Sequence, residues 1–258
     1  MPLSNIEKHY NKHPEDLRLQ RRHGRVEFEV TMHHLHRFLL PGQRVLDVGA
    51  GTGRYASALM AEGWQVKAVE LVRRNIEVFL KREPSADVVQ GDARSMPFLP
   101  DGEADATLLL GPLYHLTSDE EKLKALCEAR RVTRPGGLIF VAYLMNEYSI
   151  LSYCFDEERI VGLKARGVVD ADYHVRVDAD ELYDYVRLDD INRLNAAARL
   201  ERVTIFSPDG AADYMRTRLN RMSEETFACF IDYQKRISER PELLGAGSHV
   251  VDVVRVVR

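Results

Sequence analysis

Nine consecutive residues, Val45-Leu46-Asp47-Val48-Gly49-Ala50-Gly51-Thr52-Gly53, constrain this chain more than any other stretch of its 258 residues. A short apolar run leads into three alternating glycines, and residues 54–62 continue with helical character up to Gly63. Glycine is needed where the backbone turns sharply and must approach a ligand with no side chain between. The helix start beyond it offers N–H groups without intrahelical partners. Three glycines and an Asp in one register mark this as more than an ordinary strand–helix turn.

The flanking sequence repeats the alternation. Strands are expected at 45–48, 66–69, 87–90, 104–110 and 138–143. Helices are expected at 54–62, 73–82 and 119–133, the last capped by Ser118, and Pro135-Gly136-Gly137 turns the chain into the fifth strand. Strands and helices at this spacing predict an α/β fold, a mostly parallel sheet with helices on both faces. Residues 1–40 are polar and His-rich, with helical periodicity over 26–40 in which Val26, Val30, His33/His34, Arg37 and Leu40 share a face; Pro41-Gly42 ends it. Residues 144–180 break the rhythm. Alternation of Tyr173, Val175 and Val177 predicts a half-exposed strand there. A helix near 189–199, a strand at 202–206, two helices within 211–240 and a final strand at 249–257 follow. With no repeat or domain-scale linker, a single domain is expected over 1–258. Its parts are a helical lid (1–40), a ligand-binding core (41–143), an insertion or cap (144–180) and the C-terminal part of the sheet (181–258).

Composition narrows the setting. A net charge of −4 gives no electrostatic reason to expect nucleic acid or an anionic membrane as partner. Cys127, Cys154 and Cys229 are scattered and odd in number, which argues against a disulfide framework or structural zinc and fits a reducing cytoplasm. Residues 1–11 lack the apolar core of a secretory signal, and no apolar run approaches the ~18 residues of a membrane span. A cytoplasmic monomer or homodimer is expected. Six of the nine histidines fall in residues 1–36, but only His9 and His13 have the i, i+4 spacing of a helical metal pair, and Pro14 argues against a stable helix there. The acids Asp170, Asp172, Asp178 and Asp180 lack the Gly and terminal Glu of an EF-hand, so no metal is expected.

Two further acids name the ligand more closely. Glu70, ending the second strand, is placed to accept hydrogen bonds from vicinal ribose hydroxyls. Gly51-Thr52-Gly53-Arg54-Tyr55-Ala56 also satisfies a dinucleotide fingerprint, so loop and acid leave two cofactor classes open. The run Gly91-Asp92-Ala93-Arg94-Ser95-Met96-Pro97-Phe98 after the third strand separates them. Asp92 beside the backbone N–H of Ala93 suits an adenine edge, with Met96 and Phe98 either nearby or in the core.

Taken together, the glycine run, Glu70, the Gly91–Phe98 run and Arg131-Val132-Thr133-Arg134-Pro135-Gly136-Gly137 resemble the class I S-adenosylmethionine-dependent methyltransferases over about 36–143. The resemblance implies a Rossmann-like seven-stranded sheet whose last strand, here 249–257, is antiparallel. It also implies S-adenosyl-L-methionine across the C-terminal strand ends. Gly49, Ala50, Gly51, Thr52, Gly53, Glu70, Leu71, Asp92, Ala93 and Leu110 would then contact the cofactor. Glu in place of the usual Asp at position 70 is a departure.

The segment Leu110-Gly111-Pro112-Leu113-Tyr114-His115-Leu116 follows the fourth strand, where the reactive methyl would lie. Gly111 and Leu113 break the Asn/Asp-Pro-Pro-aromatic run of base-amino methyltransferases, which argues against DNA adenine methylation. Tyr114 and His115 are the candidate substrate residues, and His115 the candidate general base. The cofactor carboxylate needs a cation; with Arg54 expected to point outward, Arg25 is the expected partner, with Tyr10 covering the site. A small-molecule acceptor under a lid is expected. The alternatives are a nucleotide-dependent oxidoreductase, a non-catalytic cofactor-binding subunit, and an RNA or protein methyltransferase.

Overall fold

The computed structural model describes residues 5–12 and 21–257; His13 and Pro14 lie outside them. Two helices open it, α1 (Asn5–Lys12) and α2 (Arg22–Phe38). The core follows as β1 (Arg44–Val48), α3 (Arg54–Ala61), β2 (Gln65–Glu70), α4 (Arg73–Arg82), β3 (Asp87–Gln90), β4 (Ala104–Leu109), α5 (Asp119–Val132) and β5 (Thr133–Leu144). After an insertion come α8 (Leu188–Ala198), β6 (Leu200–Phe206), α9 (Arg216–Leu219), α10 (Glu224–Ile237) and β7 (His249–Val256). The seven strands form one sheet in the order β3-β2-β1-β4-β5-β7-β6. The first five are parallel, and β7 pairs antiparallel with both β5 and β6. Strand order reverses between β1 and β4, which opens a crevice at their C-terminal ends.

Near-continuous apolar runs make β1, β4 and β5 fit only a sheet covered on both faces. Leu46, Leu109, Ile139 and Val141 pack on one face with α5 and α8, whereas Val45, Leu108, Phe140 and Val253 pack on the other with α2 and α10. Ser118 caps α5 by accepting from the Glu121 N–H at 3.3 Å.

Several local expectations change. The helix of residues 26–40 is shifted to Arg22–Phe38, and Leu40 lies beyond it, exposed, because Leu39 is already extended ahead of Pro41. Pro135-Gly136-Gly137 does not precede β5 but sits within it, as a bulge where the register against β4 slips. No strand forms at 173–177. Tyr173 has φ +58°, Val175 N–H donates to the Asn146 side chain at 2.9 Å, and one bridge to Val169 remains. The insertion is instead helical at first, with α6 (Asn146–Ser149), a π-turn (Ile150–Phe155) and α7 (Ile160–Ala165) around a small core of Ile150, Cys154, Leu163 and Val169. It extends to α8 rather than ending at 180. No helix among the described residues is long and apolar enough to cross a membrane.

Candidate active site

The crevice at the strand ends is a cavity walled by four segments of the core and roofed by α1. The first wall is the glycine loop, where the three glycines have different reasons to be there. Gly51 (φ +57°) has nothing within 4 Å of where a Cβ would stand, so its backbone faces open cavity. At Gly49 a Cβ would meet Pro112 at 2.6 Å. At Gly53 (φ +77°) it would meet the Phe79 ring at 2.3 Å, and Gly53 does not line the cavity. Gly53 is thus a packing requirement between α3 and α4, not the expected cofactor contact.

The second wall is the end of β2. Glu70, 5% exposed, accepts from Gly51 N–H at 2.7 Å, from Val72 N–H at 2.8 Å and from the Asn75 amide at 3.2 Å. These bonds fix the carboxylate while leaving lone pairs toward the cavity. Burial raises its pKa against the pull of those donors. Asp47 lies behind it with one carboxylate oxygen buried and unpartnered. Burial first, and the Glu70 charge second, push Asp47 up to about 7, with the Ala56 N–H opposing.

The third wall follows β3. Asp92 and Ala93 line the cavity, as does Arg94, whose guanidinium grips both Asp92 oxygens and reaches Glu121. Burial would raise the Asp92 carboxyl, but the Arg94 hydrogen bonds and charge outweigh it and hold it below the usual range. Met96 is fully buried in the core and Phe98 is exposed.

The fourth wall is Leu110, Gly111, Pro112, Tyr114, His115 and Leu116, the loop after β4, wound as a 3-10 turn. His115 Nδ1 donates to the Leu182 carbonyl at 2.8 Å, and Nε2 accepts from the Tyr10 hydroxyl at 2.9 Å. Burial lowers its pKa to about 4, so the ring is neutral. Tyr10 and Ile6 of α1 line the cavity, so α1 is the roof. A strap late in the insertion crosses the same loop: Asp184 N–H donates to the Tyr114 carbonyl at 2.8 Å, and its carboxylate pairs with the buried Lys122.

Two arginines exchange the positions expected of them. Arg25 lies over the Phe227 ring on α10, 5.2 Å from its centroid, beside Arg22, and does not line the cavity. The basic start of α2 faces α9 and α10, where Arg22 also donates to the Leu219 and Met222 carbonyls. Arg54 turns inward instead: it lines the cavity, its guanidinium lies 4.8 Å from the Phe28 ring centre, and its Nε is buried with no hydrogen-bond partner among the described residues. Leu71, Ala50, Thr52, Tyr55 and Asn75 complete the wall. Of the expected cofactor residues, only Gly53 and Arg25 fall outside the cavity. Arg54, Tyr55, Asn75 and Arg94 were missed, although Arg54, Tyr55 and Arg94 adjoin recognised motifs.

Sheet order and reversal point are those of a Rossmann-like methyltransferase fold. Residues 46–141 match the methyltransferase domain family. The chain is 40% identical to a demethylmenaquinone methyltransferase of Renibacterium salmoninarum over 103 residues, 40% of this chain and 42% of that one. It is 28% identical to a probable tRNA methyltransferase 9B of Mus musculus over 142 residues, 50% of this chain and 31% of that one. The match to the first of these relatives spans about two fifths of its length. Among solved structures, a possible histamine N-methyltransferase of Thermotoga maritima superposes with a TM-score of 0.59 at 20% identity, covering 98% of both chains. A Pyrococcus horikoshii protein reaches 0.61 at 14% identity, covering 96% of this chain and 98% of its own. The cofactor of this class is S-adenosyl-L-methionine, and the cavity fits it. Gly51 leaves room for a ligand against the backbone, and Arg54, which lines the same cavity with its Nε unpaired among the described residues, would offer the carboxylate a cation.

Proposed function

We propose that the chain methylates a small acceptor that bears a ring, using S-adenosylmethionine. The roof carries the reading. Tyr10, Tyr114 and His115 line the cavity at the loop after β4, and the strap at 182–184 packs behind them, with Tyr183 5.1 Å from the His115 ring. A polymer acceptor calls for an open basic groove, whereas a covered aromatic site suits a planar molecule. The relatives named demethylmenaquinone methyltransferase support the same class of acceptor.

The cofactor supplies an electrophilic methyl on a sulfonium. The chain's own residues align and desolvate the partners, terms worth up to roughly 7–11 kcal/mol for well-oriented reactants. Glu70 would accept from the ribose hydroxyls, Asp92 with the Ala93 N–H would read the adenine edge, and Arg54 would hold the carboxylate. Leu110 and Tyr114 would lie at the methyl end. His115, neutral and bonded at both ring nitrogens, is assigned to holding the roof rather than to taking a proton.

A transfer assay tests this. Labelled S-adenosylmethionine is incubated with the protein and either naphthohydroquinone or bulk tRNA. Label in the organic extract is the expected result. Label in tRNA alone would replace the small acceptor by RNA, and no calorimetric binding of S-adenosylhomocysteine would remove the cofactor assignment.

A further inference from the structure

Because β7 runs against β5 and β6, its first residue stands at the same sheet edge as their last ones. His249 pairs with Leu144, the end of β5, and Asp209 follows three residues after Phe206, the end of β6. Both therefore lie at the edge that holds the cavity. Asp209 Oδ2 and His249 Nδ1 are 2.7 Å apart, and the same carboxylate accepts from the His249 backbone N–H at 3.1 Å. Asp209 is 3% exposed in its side chain and His249 14%.

The surroundings hold this pair rigidly. The Ser207 hydroxyl donates to the His249 carbonyl at 3.1 Å, and Gln234 donates to the Ser207 carbonyl at 2.9 Å. A Cβ at Gly247 would come within 2.5 Å of the Ser207 hydroxyl, so the chain entering β7 closes directly on the pair. The His249 ring stands edge to face with Tyr114, 6.1 Å between centres. Tyr114 lines the cavity, and its hydroxyl lies 3.6 Å from where a Cβ on Gly111 would be, in the loop after β4.

We propose that Tyr114, His249 and Asp209 form the proton relay of the methyl transfer, serving an acceptor whose nucleophilic group carries a hydroxyl proton, as a hydroquinone does. The inference rests on the function proposed above. As the acceptor–carbon bond forms, the sulfur–carbon bond breaks and its electron pair stays on sulfur. The hydroxyl proton passes to the Tyr114 oxygen, the Tyr114 proton passes to His249, and the resulting imidazolium is balanced by Asp209. The proton then leaves to solvent, and no oxidant or reductant is consumed. Tyr114 touches the acceptor, His249 is the terminal acceptor of the proton, and Asp209 positions the ring.

Other charged groups bear on the titration. From α2 come His23 and Glu27, and from the segment after β6 come Asp213 and Arg216, which pair with each other. Burial raises the Asp209 carboxyl, with the His249 charge pulling it back.

The test uses the full chain with ¹⁵N-labelled histidines, bound to S-adenosylhomocysteine. His249→Asn identifies the resonance and keeps an N–H toward Asp209 while removing Nε2. The His249 ring is expected to take up a proton between about pH 5 and 9 and to shift when naphthohydroquinone is added. Its midpoint should fall in Asp209→Asn. Methylation of naphthohydroquinone should drop about 10²-fold or more in kcat in His249→Asn, with S-adenosylhomocysteine affinity within about twofold. The acid limb of the kcat profile should follow the midpoint seen by NMR. A ring fixed in one charge state over that range, or an unshifted resonance at saturating naphthohydroquinone, would overturn the relay. So would wild-type kcat in His249→Asn. Failure of the unmodified chain to bind S-adenosylhomocysteine would instead sink the proposed function.

Discussion

Arg54 is the first residue of α3, and its direction is decided by a ring from another element. Phe28 of α2, itself stacked 5.2 Å from Tyr55, gives the guanidinium a face to lie on at the cavity wall, with its Nε buried. A buried donor left unpaired is costly, and a carboxylate ligand relieves that cost. Arg54→Ala is therefore expected to weaken S-adenosylhomocysteine binding by about 1.5–3 kcal/mol, the range for a charged hydrogen bond. Arg25→Ala, over Phe227 and away from the site, should leave affinity unchanged. Calorimetry on the two variants decides, and wild-type affinity in Arg54→Ala would end its role at the carboxylate. The sequence identifies Glu70 and Asp92 because one ends β2 and the other follows β3 by two residues, so the strand ends alone bring both to the crevice. It misplaces Arg54, Arg25 and Gly53 because their surroundings, Phe28, Phe227 and Phe79, are set by helix–helix packing that local pattern does not contain.

Among elements, α1 docks on the rest of the chain through side chains that reach the loop after β4 and the strap at 180–184. Its Tyr10 hydroxyl donates to His115, the Asn5 amide donates to the Asp180 carbonyl at 2.8 Å, and the His9 ring lies against Tyr183. An element docked this way opens at a small fraction of the global unfolding free energy. Tyr10→Phe removes one bond of about 0.5–1.5 kcal/mol, so protease cleavage near α1 should quicken roughly 2- to 10-fold. S-adenosylhomocysteine should slow cleavage in both proteins; equal rates in wild type and Tyr10→Phe would mean that the Tyr10–His115 bond does not hold the roof. The helical periodicity of 26–40 is legible in the sequence and so are the five parallel strands, as apolar runs at regular spacing, whereas α1 is not, because Pro14 argues against a helix at 9–13. The false strand at 173–177 shows the limit of alternation. Asn146, fully buried, bonds Tyr173 C=O and Val175 N–H through its side chain and so replaces the neighbouring strand that the pattern presumes.

For the molecule as a whole, stability against pH is a contest between buried groups of opposite sign. Burial lowers His34 and His115 to about 4 in the folded chain. Below pH ~6.5 the unfolded chain takes up protons these rings refuse, so their contribution falls as pH drops from there toward 4. Asp47 acts the other way. With its carboxyl pushed up to about 7 by burial and Glu70, the folded state binds its proton more tightly than the unfolded state does. That contribution is complete below about pH 4 and is lost as pH rises through 7, a loss of about 4 kcal/mol at 1.36 kcal/mol per pH unit. Asp47→Asn keeps an acceptor for the Ala56 N–H and cannot ionise. In the absence of cofactor, the variant should therefore gain on wild type steadily from pH 4 to 7, and hold that gain above 7. At roughly 2–4 °C per kcal/mol for a chain of this size, the difference between their Tm values should change by about 10 °C across the range. Parallel Tm curves for the two proteins from pH 4 to 8 would mean that Asp47 titrates as an ordinary carboxyl, and that the pressure between Asp47 and Glu70 behind the glycine loop is relieved in solution.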